Sequence, residues 1–314
     1  MGEKRPRVGI SACLLGHKVR HDGGHKRDPF VTEVLDLFVD WVPVCPELEV
    51  GMGVPRETVR LVGSPSHPHM VAQESGKDWT REMTNYARER LVEIERLKLS
   101  GYIFKKDSPS CGLERVKVYG EIGAPSRKGR GLFARALTDT FPLLPVEEEG
   151  RLNDPGLQEN FLERLFAYHR WRRLLGSAKS VASLVQFHAS HKLLLLSHSE
   201  RHTRRLGRIV AEAKKSPLGR VLEDYGQHFM EALAVHVTLR THTNVLQHMM
   251  GYLSDRLTPD ERGELGEAII DYHKELVSLA VPLTLIRHYV KKHRVAYILN
   301  QVYLKPYPRE LRLT

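Results

Sequence analysis

The sequence predicts an α/β domain with a mainly parallel sheet over residues 1–150, followed by an all-α domain over residues 151–314. Three observations lead there. Short apolar runs at Val8 to Ala12, Trp41 to Val44 and Gly101 to Phe104 have strand length, and each leads towards a cysteine. Beyond Glu147-Glu148-Glu149-Gly150, read as a domain boundary, apolar residues recur at helical spacing. Charge changes at the same place: residues 1–150 carry 23 Lys and Arg against 22 Asp and Glu, and residues 151–314 carry 25 against 16.

Taken in order, residues 7–12 form the first strand and Cys13 follows it. Leu14 to Gly24 is a loop in which Arg20, His21 and Asp22 are either substrate contacts or solvated turn charges. Asp28-Pro29 opens a helix, because proline is tolerated in a first turn. Cys45-Pro46-Glu47 ends the strand from Trp41, and a loop runs to Glu57. Thr58 to Val62 and Met70 to Ala72 pair as a hairpin. Trp79 to Leu99 is a long helix with Met83, Tyr86, Ala87, Leu91, Ile94 and Leu97 facing inward. The strand from Gly101 leads into Ser108-Pro109-Ser110-Cys111-Gly112. Val116 to Tyr119 is extended, Arg127 to Gly131 is a basic glycine-rich turn, and Leu132 to Asp139 is helical. Further helices are expected over about 158–175, 180–198, 202–213, 219–249, 260–279 and 282–295.

Composition narrows the function classes. No apolar run approaches the ~20 residues of a membrane span. The chain opens without a charged-then-apolar leader, which argues against secretion. Three cysteines make no disulfide framework, so a reducing cytoplasm is expected and thiols remain available as ligands. The net charge of +10 sits almost wholly in the C-terminal part, and a basic surface attracts polyanions, nucleic acid foremost.

Cys13, Cys45 and Cys111 are the only cysteines. Parallel strands gather their carboxyl ends at one edge of the sheet, where ligands bind, so three distant thiols can meet there. Their spacing matches no zinc-finger or ferredoxin pattern. Several readings therefore stay open: buried small hydrophobes, a zinc site completed by His17 or His21, a 4Fe-4S cluster held through three irons with the fourth open, or a catalytic thiol. Metal binding by His188 and His191 is a minor further reading, and Asp107, Lys105 and Lys106 are weaker candidates to face a ligand.

Ser11-Ala12-Cys13-Leu14-Leu15-Gly16, Val19-Arg20-His21-Asp22-Gly23, Cys45-Pro46-Glu47, Pro55-Arg56 and Ser108-Pro109-Ser110-Cys111-Gly112, in this order, resemble the thiouracil desulfidase family over about residues 7–145. His21 stands where many members have tyrosine. The second part, through Phe187 to Lys192, His248 to Tyr252 and Gln301 to Pro308, is similar to the YbgA-like helical domain often fused to it. That combination resembles the subfamily acting on 4-thiouridine in tRNA.

The resemblance implies a 4Fe-4S cluster bound by Cys13, Cys45 and Cys111, with one iron open for the substrate sulfur. It implies Glu47 as acid/base and Ser108 as the catalytic hydroxyl, with Ser110 as its understudy or either serine as a turn-holder. The products are uridine and hydrosulfide, with no net electron transfer. The implied partner is tRNA containing 4-thiouridine; no membrane and no protein partner are implied. Arg172, Arg173, Arg204, Arg205, Lys291 and Lys292 are candidate phosphate contacts, or simply exposed helix charges. The alternatives are desulfidation of free thiouracil or thionucleosides, and a non-enzymatic zinc-stabilised nucleic-acid-binding protein.

Overall fold

The structure, a computed structural model, describes residues 4–121, 123–177 and 180–312. It contains two compact units, residues 1–169 with 310–314, and residues 170–309. The α/β-then-helical architecture expected from the sequence is present.

The first unit is built on a four-stranded parallel sheet of β1 (Arg7–Ser11), β2 (Asp40–Val44), β5 (Gly101–Phe104) and β8 (Val146–Glu148), in the order β2-β1-β5-β8. Central strands of such sheets are covered on both faces and read as continuous apolar runs. Accordingly Val8, Ile10, Tyr102, Ile103 and Phe104 are fully buried. Register places Ile10 opposite Ile103 and Ser11 opposite Val44. β1 is followed along the chain by β2 on one side, and β5 by β8 on the other, so strand order reverses between β1 and β5. Crevices for ligands form at such a reversal.

A second four-stranded sheet is present, which strand-length apolar runs alone do not distinguish from the first. Its order is β4-β3-β6-β7, from β3 (Val59–Ser64), β4 (His67–Ala72), β6 (Val116–Tyr119) and β7 (Ser126–Gly129). β3 and β4 form the expected hairpin. The basic stretch read as a turn is instead β7, antiparallel to β6. At a sheet edge Arg127 and Lys128 remain in water, which makes charge compatible with a strand there. α1 (Pro46–Glu49), α2 (Thr80–Leu97) and α3 (Leu132–Thr140) complete this part. α2 buries Met83, Ala87, Leu91 and Ile94, one stripe at helical spacing. The helix expected from Asp28 is an irregular pair of turns over Phe30–Val34 and Leu35–Leu37.

The acidic run read as a boundary lies inside the first unit. Its carboxylates are buried because each has donors: Arg151 Nε to Glu147 at 2.7 Å, Leu113 N–H to Glu148 at 2.7 Å, and Lys105 Nζ to Glu149 at 2.5 Å. α4 (Pro155–Ser177) follows and belongs to the first unit up to His169.

The second unit contains α5 (Val181–His198), α6 (Glu200–Ala211), α7 (Leu218–Ala234), α8 (Leu239–Leu253), α9 (Pro259–His273), α10 (Ala280–Lys292) and α11 (Ala296–Leu299). The single helix expected over 219–249 is α7 and α8. Thr238 ends the continuity because its hydroxyl caps the Thr241 N–H in a reciprocal capping box. Trp171, Phe187, Tyr225 and Phe229 form an aromatic core with ring centroids 5.2 to 6.3 Å apart. Among the described residues no helix is long and apolar enough to cross a membrane.

Candidate active site at the carboxyl ends of the parallel strands

A cavity of about 450 Å³ opens at the strand reversal, and Cys13, Cys45 and Cys111 all line it. Cys13 follows β1 in a short turn over Ala12–Leu15, and Cys45 lies between β2 and α1. Cys111 ends the loop after β5. The amino end of α3 fixes that loop: Gly131 N–H donates to Gly112 O at 2.7 Å, Leu132 N–H to Pro109 O at 3.1 Å, and Phe133 N–H to Ser110 O at 3.0 Å. Helix-start N–H groups lack intrahelical partners, and here the cysteine loop supplies acceptors.

All three thiols are pushed up in pKa, mainly by burial. Cys13 rises to about 11, with Cys45 nearby adding to the effect. Cys45 rises in spite of backbone hydrogen bonding at Leu48, and Cys111 rises furthest. Cys45 Sγ lies 3.7 Å from Val19 O and Cys111 Sγ 3.6 Å from Ser110 Oγ. Three converging soft donors that resist ionisation on their own fit a cationic, thiophilic metal core, which would hold them as thiolates. Among the described residues no three His, Cys, Asp or Glu side chains form a group able to hold a single ion.

Beside the thiols stands Glu47, on the single turn of α1. Oε2 takes Arg56 Nη2 at 2.5 Å and Nε at 3.2 Å. Oε1 accepts from Ser110 Oγ at 2.7 Å and lies 3.4 Å from Ser108 Oγ. Both serines line the cavity but differ in exposure: Ser110 is 1% exposed, whereas Ser108 is half-buried. Ser108 Oγ accepts the N–H of Cys111 at 3.1 Å and of Ser110 at 3.3 Å, so it both holds the turn and faces the cavity.

Arg20 and His21 line the cavity, while Asp22 is exposed, lies 3.6 Å from Arg20 Nε and accepts the Gly24 N–H at 2.9 Å. His17 does not line it. Lys105, Lys106 and Asp107 do, but the Lys105 ammonium is paired with Glu149, behind the wall. Two partners carry no sequence signal of their own, Glu49 and Arg56, the latter legible only as part of the Pro55-Arg56 motif. Glu49 accepts the Cys45 N–H at 2.9 Å and the Tyr86 hydroxyl at 2.6 Å, bracing the cysteine from behind.

In the second unit, Arg173, Arg204, Arg205, Lys291 and Lys292 are exposed and Arg172 is half-buried. Arg204 pairs with Glu200 and Lys292 with Glu261, both at 2.5 Å. His188 Nδ1 lies 3.1 Å from the Tyr225 hydroxyl. His191 accepts from Arg170 Nε at 3.1 Å and its Nδ1 lies 2.8 Å from Phe187 O. Both rings are thus engaged in internal hydrogen bonds.

Residues 8–149 match the family model described as 2-thiouracil desulfurase, and residues 192–308 match that of DUF1722, described as a protein of unknown function. YbgA of Escherichia coli K12 is 31% identical over 163 residues, spanning 52% of this chain and 96% of its own length. YbbK of Bacillus subtilis 168 is 30% identical over 150 residues, spanning 46% of this chain and 97% of its own. A solved [4Fe-4S]-dependent thiouracil desulfidase, TudS, aligns with 29% identity and a TM-score of 0.40, over 48% of this chain and 94% of that one. The chain belongs to the 2-thiouracil desulfurase family, with its desulfurase region joined to a YbgA-like DUF1722 helical region.

Proposed function

We propose that this protein is a non-redox, 4Fe-4S-dependent desulfidase that converts 4-thiouridine in tRNA to uridine and hydrosulfide in the cytoplasm. The observation that carries the reading is the convergence of three thiols, two buried and that of Cys45 half-buried, on one cavity with the Glu47 carboxylate, in a chain of the desulfurase family. Cys13, Cys45 and Cys111 would hold the cluster, each on a different iron, so they need not meet around a common ion. When bound, the cluster supplies a soft Lewis-acid position for the thiocarbonyl sulfur.

The chain's own groups then serve an addition of water to the ring carbon. The C–O bond forms, the C–S bond breaks, and no electron is transferred. Oε1 of Glu47 takes the proton of the attacking water, because Oε2 is occupied by Arg56. Ser108 presents its hydroxyl at the cavity and orients that water or passes its proton. Its two backbone N–H bonds leave the hydroxyl proton free to donate. Ser110, which also lines the cavity, donates to the same oxygen of Glu47 and holds it in place. A thiolated base in folded RNA must leave its stack to enter the cavity. The excess of positive charge in residues 151–314 supports polyanion binding, with the exposed helix cations as phosphate contacts.

The family description favours a second reading, desulfidation of free thiouracil or a thionucleoside. Anaerobically purified protein, analysed for iron and acid-labile sulfide, should be offered thiolated tRNA, 4-thiouridine and 2-thiouracil at several salt concentrations. Turnover of tRNA with a steep loss of affinity as salt rises supports the proposal. Turnover of the small molecules alone overturns the tRNA assignment and leaves a salvage desulfidase. Protein carrying zinc and no iron, with no turnover, overturns both.

A further inference from the structure

We propose that Arg56 is the positioning residue that sets the Glu47 carboxylate for proton transfer, an assignment resting on the role given to Glu47 above. Arg56 is 5% exposed and Glu47 14%. Nη2 and Nε of Arg56 both take the same carboxylate oxygen, Oε2, at 2.5 and 3.2 Å. The two oxygens are thereby given different work: Oε2 is saturated, and Oε1 faces Ser108 and Ser110.

The guanidinium is itself anchored independently of Glu47. Nη1 donates to Val19 O at 3.0 Å and to Gly53 O at 2.9 Å, and the Arg56 backbone N–H donates to His21 O at 2.9 Å. Arg56 therefore ties the loop after Cys13, the loop after α1 and the carboxylate into one rigid piece. Four donors of a planar fork are used at fixed angles, which a lysine's compact ammonium on a flexible stem does not reproduce. Glu47 sits on a helix of one turn, too short to fix a side chain alone, and misplacement by about 1 Å costs on the order of 10²-fold in rate.

Val19 O also receives Cys45 Sγ at 3.7 Å. With Cys45 held as a thiolate, its proton released to solvent, Arg56 would still satisfy that carbonyl, and the loop would have no reason to move.

The test uses anaerobically loaded Arg56→Lys, Glu47→Gln and the double variant, with thiolated tRNA or 4-thiouridine, whichever the wild type turns over, and uridine as a binding probe. The expected result is a fall in kcat of about 10- to 100-fold for Arg56→Lys. KM, uridine affinity and iron content should stay close to wild type. The double variant should be no slower than Glu47→Gln, because residues acting as a unit are not additive. Wild-type kcat in Arg56→Lys overturns the proposal, as do losses that multiply in the double variant. Should Arg56→Lys fail to fold, Arg56→Gln is read the same way. Loss of iron or of soluble protein in both assigns Arg56 to the cavity's fold and overturns the positioning role. Full activity in Glu47→Gln instead overturns the acid/base reading itself.

Discussion

Ser110 Oγ lies 2.7 Å from Glu47 Oε1 across 63 residues of sequence, and 3.6 Å from Cys111 Sγ. One hydroxyl thus joins the carboxylate expected to move protons to a thiol expected to bind metal. Its neighbour Ser108, 3.0 Å away, does something else: it satisfies two backbone N–H groups of the cysteine loop.

This difference separates two variants. Ser108→Ala removes the acceptor of both N–H groups and the hydroxyl at the cavity. It is expected to lower stability by roughly 1–3 kcal/mol and to lower kcat by about 10²-fold. Ser110→Ala removes one donor from Glu47 and leaves the turn intact, so kcat should fall about tenfold with little change in stability. Denaturant midpoints measured alongside kcat check this; equal effects in both variants would show the serines to be interchangeable.

The parallel sheet and its three cysteines were legible because both depend on local pattern. Buried strands read as short apolar runs, and the rule that ligands gather at carboxyl ends then groups Cys13, Cys45 and Cys111. Charge misled where partners lie far away in sequence. Glu147, Glu148 and Glu149 read as a domain boundary, yet Lys105, Leu113 and Arg151 supply their donors inside the first unit. Arg127 and Lys128 read as a turn, yet belong to an edge strand. Arg56 gave no signal beyond its motif, since its use depends on folding against Val19, Glu47 and Gly53.

Gly131 is expected to control metal retention without touching metal. A Cβ there would come within 2.4 Å of Ser110 O and 2.8 Å of the Cys111 nitrogen. Its φ of −59° suits any residue, so the obstacle is contact alone. Gly131→Ala should push the Cys111 loop outward and reduce bound iron severalfold in protein that remains folded. The iron-to-protein ratio with circular dichroism reads this out, and full loading in the variant would show that the loop yields.

Gln301 closes the second unit by bridging α5. Its Nε2 donates to Ala189 O at 2.8 Å, and its Oε1 accepts the Leu193 N–H at 3.2 Å. Those backbone groups are four residues apart, and the amide is 3% exposed. Gln301→Ala strips partners from both inside the fold. A loss of about 1–3 kcal/mol is expected in denaturant unfolding. An unchanged midpoint would mean that α5 re-forms its own bond.

Half-buried His188 and buried His191 of α5 make the second unit sensitive to acid. His188 is pushed down to about 4 by burial, with Lys192 adding to it. His191 is lowered well below its usual value, by burial first and then by Arg170. In both cases the folded pKa lies below the unfolded one of about 6.5. Above about pH 6.5 neither state binds the proton and these groups add no pH dependence. As pH falls below that, the unfolded chain takes up protons that the fold refuses, so stability declines, by up to about 1.4 kcal/mol per pH unit for each group. The decline from His188 ends near its folded value of about 4. Trp171 packs against Phe187 and Tyr225, and Tyr225 in turn holds His188, so in protein carrying Trp41→Phe and Trp79→Phe tryptophan fluorescence follows this region. Denaturant midpoints at intervals from about pH 7 to about pH 4 should fall in wild type. In His188→Gln, which keeps a polar partner for Tyr225, the fall should be visibly shallower, with the remainder shared between His191 and, towards pH 4, carboxylates such as Glu261 whose folded pKa is lowered. A wild-type midpoint that stays level over this window, or one that rises towards acid, would reverse the sign argued for both rings.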